Sequence, residues 1–277
     1  MTINDFRRAR RRWFGLALLT AFFSLTTFVT NAPAQKADNE YQVGAILWTQ
    51  TSGEKAALSY QAFTLARMTL DRDLRMNRRS RIKRAVVVDV DDTILDNSRY
   101  QAMLIKTRQN FESKSWTEWC NRAEATALPG AVEFLRYANS RGVRVFYISN
   151  RKEIEKEGTA KNLKNLGFPN VNDETLLVRT DKDSSSKGPR LQVVSANYRI
   201  LLLMGDNLND FAEVFENSKT VESRLEAVER NKAQFGTRFI VLPDPMYGDW
   251  ESAIYGYNTK LTEEEKAAKR KSALKGY

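Results

Sequence analysis

The chain has 277 residues, room for one α/β domain with a short leader and a small insertion. Its apolar content of 42% supplies a core, while the absence of histidine removes the Ser-His-Asp triad, the Cys-His pair, the three-histidine zinc site and phosphohistidine chemistry. Any reaction must therefore fall to carboxylates, lysine, hydroxyls or a metal held by oxygen.

The formal charge of +10 is partly a property of the N-terminus. Beyond residue 34 there are 39 basic and 33 acidic residues, or +6, with clusters at 78–84 and 266–271. These read as solvated helix faces, since no recognisable module accompanies them and no nucleic-acid polymer is expected as a partner. A modest positive field still helps gather phosphorylated anions.

Residues 1–34 read as a signal peptide. Arg7, Arg8, Arg10, Arg11 and Arg12 precede an apolar run over 14–29, and Ala32-Pro33-Ala34 offers small residues for cleavage. The run is shorter than the ~20 residues a comfortable membrane span needs. Export to the periplasm or outside the cell is the expectation, with no stable membrane anchor once the leader is cleaved. Residues 35–277 form the expected domain.

A helical period then runs over 53–77, with Ala57, Leu58, Tyr60, Phe63, Leu65, Ala66, Leu70 and Leu74 at three- and four-residue steps. Strand-like runs follow at 84–90, 143–149, 200–204 and 239–242, with 176–179 weaker. Helical patterns lie near 130–140, 152–166, 188–197 and 208–235. This alternation predicts an α/β fold, a parallel sheet flanked by helices, with ligands beyond the carboxyl ends of the strands. The single cysteine, Cys120, excludes an internal disulfide and reads as a packed thiol.

The strand ends carry the chemistry. The first closes on Asp89-Val90-Asp91-Asp92-Thr93, placing Asp89 and Asp91 on one side of a continuing strand. Two such anions call for a cation between them or for protonation of one. A hard dication such as Mg²⁺ suits oxygen ligands and phosphate. Strand 200–204 closes on Gly205-Asp206-Asn207-Leu208-Asn209-Asp210, where Asp206 and Asp210 have i, i+4 spacing and are expected to open a helix. Strand 143–149 closes on Ser149-Asn150-Arg151, donors suited to phosphate oxygens, and Lys187 begins the helix before the Asp206 strand.

That order resembles the haloacid dehalogenase (HAD) superfamily, and within it the class C bacterial acid phosphatases, a group that includes outer-membrane lipoprotein 5′-nucleotidases. The carriers are residues 88–98, Tyr147-Ile148-Ser149-Asn150-Arg151, residues 205–211, and Leu242-Pro243-Asp244-Pro245-Met246-Tyr247-Gly248-Asp249-Trp250-Glu251. The resemblance covers about residues 45–255, and the lipobox cysteine of the lipoproteins is absent. It implies a HAD-like sheet with a mainly helical insertion at about 97–128. It also implies Asp89 as nucleophile and Asp91 as general acid and then base, with Asp91 protonated in the free enzyme. Mg²⁺ would be held by Asp89, the Asp91 carbonyl and Asp206, with Asp210 in support. Ser149, Asn150 and Lys187 would hold phosphate oxygens, Asp92 would be a variable position, and Thr93 would fix the loop.

Of the insertion aromatics Tyr100, Phe111, Trp116 and Trp119, the last two are the candidates for stacking a nucleobase, together with Tyr247. The implied substrates are small phosphomonoesters, nucleoside 5′-monophosphates first; a homodimer is one assembly open to such a domain. The competing reading is an exported ligand-binding protein on an inactive phosphatase fold. Against it stands the set Asp89, Asp91, Lys187 and Asp206, because a binder has no use for a nucleophile beside an acid.

Overall fold

The computed structural model describes residues 39–180 and 185–277; the leader lies outside the described residues. A short helix α1 (Val43–Thr51) precedes the long α2 (Gly53–Met76), whose start is capped by Ser52 accepting from the Lys55 amide. The buried stripe of α2 is narrower than its apolar pattern. Ala62, Phe63, Ala66 and Leu70 face the core, whereas Leu58, Tyr60 and Leu65 are exposed.

Five strands make the main sheet: β1 (Arg84–Val88), β4 (Val143–Lys152), β5 (Leu176–Arg179), β6 (Arg199–Gly205) and β7 (Phe239–Val241). Their order is β5-β4-β1-β6-β7 and every pairing is parallel. Both faces are covered, so the central stretches of the strands, such as Ala85 to Val88 and Leu201 to Met204, are buried and apolar. Along β1, Val86 and Val88 join the core under α2 and α5 (Ala131–Ser140), while Ala85 and Val87 join the other, under α7 (Gly188–Ser195) and α9 (Val221–Arg230).

Register fixes where the site falls. Val88 stands opposite Tyr147 on β4 and Met204 on β6. Asp89, Gly205 and Ser149 therefore emerge at about the same level, at the carboxyl edge of the sheet. The insertion consists of α3 (Ser98–Thr107) and α4 (Ser113–Arg122), pinched at its base by a two-stranded antiparallel ribbon, β2 (Leu95–Asp96) with β3 (Thr126–Ala127). A further helix, α6 (Lys156–Leu166), follows β4.

Two expectations are corrected. The single helix over 208–235 is broken into a 3₁₀ turn at Leu208–Asp210, α8 (Glu213–Glu216), α9 and a second 3₁₀ turn. The breaks come where Ala212 and Thr220 take extended backbone, with Thr220 capping α9 through its hydroxyl. Asp206 consequently lies before a 3₁₀ turn capped by Asn207, not within a helix. Two short helices, α10 (Asp249–Ile254) and α11 (Glu263–Ala273), close the chain. Among the described residues no helix is long and apolar enough to cross a membrane.

Candidate active site

At the end of β1 the chain stops being a strand. The Ile94 and Leu95 amides both return to the Val90 carbonyl, and the Asp92 amide donates to Leu95 O. Asp92 sits at φ 53°, a left-handed conformation that Asp tolerates better than bulkier residues. This tight turn points Asp89 and Asp91 at different partners, so they do not face one way as on a continuing strand.

Asp89 belongs to a buried floor. The Lys187 ammonium bonds Asp89 and, at 2.7 Å, Asp210 Oδ1. Thr93 Oγ1 donates to Asp206 Oδ1 at 2.9 Å, which is the loop-fixing role expected of it. Asp210 leans over Gly205: a side-chain carbon on Gly205 would lie 2.6 Å from Asp210 Cβ, so only glycine fits. Oxygens of Asp89, Asp206 and Asp210 come within 4.8 Å of one another. Three carboxylates against one ammonium leave excess negative charge in a buried place. Burial first, then Asp210 and Asp91, push the Asp89 carboxyl up to about 7 against the pull of Lys187. Burial and then the Asp210 and Asp89 charges raise Asp206 well above its ordinary value. Such a set fits a hard divalent cation, which would offset the charge with oxygen ligands alone.

Asp91 is held elsewhere. Arg151, 2% exposed, donates through NH2 to Asp91 Oδ1 at 2.7 Å and through Nε to Oδ1 at 2.9 Å. Ser149 Oγ donates to Asp91 Oδ2 at 3.2 Å and Asn97 Nδ2 to Oδ1 at 3.0 Å. Both Asp91 oxygens thus have close polar partners, Oδ1 with Arg151 and Asn97 and Oδ2 with Arg151 and Ser149. The two neighbouring anions are reconciled by one cation each, Lys187 for Asp89 and Arg151 for Asp91.

A cavity of about 680 Å³ opens above this floor. Asp89, Asp91, Asn150, Lys187, Asp206 and Asp210 all reach it. Ser149 is wholly buried behind Asp91 and is absent from the lining. Of the aromatic candidates, Trp116 and Tyr247 line the cavity. Trp119 does not: it is buried and its Nε1 donates to Asn97 Oδ1 at 2.9 Å, a packing role. Phe111, 58% exposed, stands on the wall 6.0 Å from Trp116 between ring centres. Tyr247 spends its hydroxyl on Asp92, whose carboxyl also accepts from the Asn97 amide. Cys120 is buried and burial raises its thiol, as a packed thiol should be.

Comparison with known proteins identifies the arrangement. The family model described as HAD superfamily, subfamily IIIB (acid phosphatase) matches residues 23–250. The class C acid phosphatase of Bacillus anthracis is 43% identical, with a TM-score of 0.80 over 86% of this chain and 98% of that one. The chain belongs to the subfamily IIIB acid phosphatases. A second structure of the Bacillus anthracis enzyme, with tungstate bound, is 44% identical with a TM-score of 0.81. The stem 28 kDa glycoprotein of Glycine max is 26% identical over 135 residues, covering 46% of this chain and 52% of that protein. Acid phosphatase 1 of Solanum lycopersicum is 25% identical over 130 residues. The chain spans about half the length of these curated plant relatives.

Sequence reading left Asn97 and Asp92 out of the acid phosphatase site, and it took Arg151 as a phosphate donor without its bond to Asp91. Arg151 carried a signal: an arginine two residues past a strand-end serine must find a carboxylate if buried.

The floor makes a prediction about pH. Asp206, whose pKa rises on folding, binds more protons in the folded chain, so its contribution is fully present below the unfolded value, near 3.8, and is lost progressively as pH rises above it. With EDTA present, Tm should fall by on the order of 5 °C between pH 4 and pH 7 relative to Asp206→Asn, and Mg²⁺ should restore it at pH 7. Equal pH profiles for wild type and Asp206→Asn, measured by calorimetry, would count against the raised floor.

Proposed function

We propose that this acid phosphatase is an exported, Mg²⁺-dependent phosphomonoesterase acting on nucleoside 5′-monophosphates through a phosphoryl group carried on Asp89. The observation behind the reading is the pairing of two aspartates with two separate buried cations at the mouth of one cavity. In that arrangement Asp89 presents an oxygen to phosphorus, while Asp91 stands two residues away with a different partner. The tungstate reported on the Bacillus anthracis enzyme, an oxyanion, is in keeping with a phosphate subsite.

Asp89 Oδ forms the bond to phosphorus as the ester oxygen leaves, and Asp91 supplies that oxygen with a proton. Asp91 reaches the leaving group by exchanging part of its contact with Arg151, which then remains to bind phosphoryl oxygens or to hold the carboxylate again. Water, deprotonated by Asp91, then attacks phosphorus and frees Asp89. Lys187 neutralises charge at the nucleophile and on the transferring group, and Asn150 offers its amide at the rim. Mg²⁺, held by Asp89, Asp206 and the Asp91 carbonyl with Asp210 beside Lys187, would supply positive charge where negative charge accumulates. Ser149 serves by orienting Asp91, given its burial. Export rests on the leader pattern of residues 1–34.

Specificity falls to the wall of Phe111, Trp116 and Tyr247. Phe111 shows the most free surface of the three, so it is the foremost stacking face for a base. A stacked face is worth ~1–3 kcal/mol. Phe111→Ala and Trp116→Ala should therefore lower kcat/KM on AMP by roughly tenfold or more while changing glycerol phosphate by less than about threefold. Steady-state kinetics on both substrates decide it. Equal losses on both would replace the nucleotidase reading by a general phosphomonoesterase.

A further inference from the structure

The pole of the sheet where the strands begin, opposite the cavity, carries a surface the phosphatase chemistry does not use. Along the last turns of α2 and the loop into β1, Arg72, Arg75, Arg78, Arg79, Arg81 and Lys83 are all exposed. The two carboxylates of that stretch are already engaged. Asp71 accepts from the Tyr137 hydroxyl, and Asp73 accepts from Arg84 at 3.2 Å and Arg199 at 2.6 Å. Three apolar side chains stand among the cations: Met68, Met76 and Ile82, exposed to 63%, 78% and 58%.

Met68, Arg72, Arg75 and Met76 border two depressions at the end of α2, and the exposed Arg78, Arg79, Arg81, Ile82 and Lys83 follow within seven residues in the chain. Arg72 and Met76 border a depression with Arg199 and Arg238, and Arg72 also borders a second with Arg75 and Met68. Surface cations on a soluble helix need no explanation. Cations interleaved with aliphatic side chains that find no apolar cover do, because each such side chain leaves apolar area in water.

We propose that this pole docks reversibly on an anionic lipid bilayer. Guanidinium and ammonium groups complement lipid phosphates, and their long stems let the charge stay at headgroup level while Met76 and Ile82 enter the acyl boundary. A nucleic acid would meet the same cations but has little use for protruding thioethers, and would favour bare aromatic faces. Residues 67–84 contain no aromatic residue. The rings beside this stretch are already engaged: Tyr198 packs on Phe146 at 5.1 Å with Lys83 over it, and Tyr137 bonds Asp71 with Arg67 4.0 Å from its ring centre. A second copy of this chain would present the same positive sign and repel. Contact at this pole leaves the cavity mouth, at the other end of the strands, open to soluble substrate. Such docking is a peripheral contact, distinct from the lipid anchor whose cysteine the sequence lacks.

The test is co-sedimentation of the full chain with phosphatidylglycerol–phosphatidylcholine vesicles, compared with phosphatidylcholine alone, at low and high salt. Wild type should bind the anionic vesicles and be released by salt. Arg78→Glu/Arg79→Glu/Arg81→Glu should lower the partition coefficient at least ~tenfold. Met76→Ser/Ile82→Ser, with every charge kept, should lower it roughly threefold to tenfold. All these proteins share residues 1–38, so differences among them belong to the pole. Tm and solution hydrolysis of p-nitrophenyl phosphate should match wild type, since the substituted side chains are exposed. Equal binding to neutral vesicles, wild-type binding by either variant, or stronger binding to single-stranded RNA than to anionic vesicles at the same salt would each overturn the proposal.

Discussion

Asp89→Asn is expected to lower kcat on p-nitrophenyl phosphate by at least ~10³-fold, about 4 kcal/mol of barrier. The substitution keeps the shape of a side chain buried against Lys187, and the Asp89 amide still donates to Met204 O at 2.9 Å, so the fold should survive. What is lost is an anionic oxygen able to bond phosphorus and one of the three carboxylates that converge on the floor. EDTA should depress the wild type comparably, with Mg²⁺ restoring it. A variant retaining more than a tenth of wild-type kcat, with an unchanged Tm, would sink the covalent route. A chelated enzyme at full rate would instead remove the metal roles given to Asp206 and Asp210.

The sequence exposes those elements whose physics is local. β1, β4 and β6 are legible because buried parallel strands must be apolar on both faces, which leaves unbroken runs such as Ala85 to Val88. The ribbon of β2 and β3 is invisible, since two residues per strand carry no period. The false helix over 208–235 has a similar origin. Its apolar spacing is helical, but Ala212 takes extended backbone and Thr220 caps a new start inside it. Strand-end aspartates are legible in the same way, as charges where an apolar run stops. The roles of Arg151, Asn97 and Asp92 are not, because they lie in bonds across the fold: Arg151 to Asp91 spans 60 positions, and Tyr247 to Asp92 spans 155. Trp119 shows the opposite error. Its indole N–H satisfies Asn97 in the interior, so a large aromatic in the insertion serves the catalytic loop and not the ligand.

Lys187→Met should lower kcat/KM by roughly 10²–10³-fold and at the same time strengthen divalent-cation binding at neutral pH. Lys187 lies 5% exposed between Asp89 and Asp210, and those two charges raise its ammonium above the ordinary value although burial alone would lower it. It is therefore charged, and it is the ammonium bonded directly to Asp89 and Asp210. Methionine fills similar volume without charge, which removes stabilisation of the transferring phosphoryl group. It also removes the competitor that a bound dication must share carboxylates with. Arginine is not expected to rescue the rate, since a planar fork cannot occupy the point between two carboxylates that an ammonium fits. Activity assays, with metal affinity followed by the Tm rise on adding Mg²⁺, separate the two effects. A loss of both rate and metal binding would mean that Lys187 only holds the site together. Lower rate with tighter metal would show that it acts on the phosphoryl group while restraining the cation.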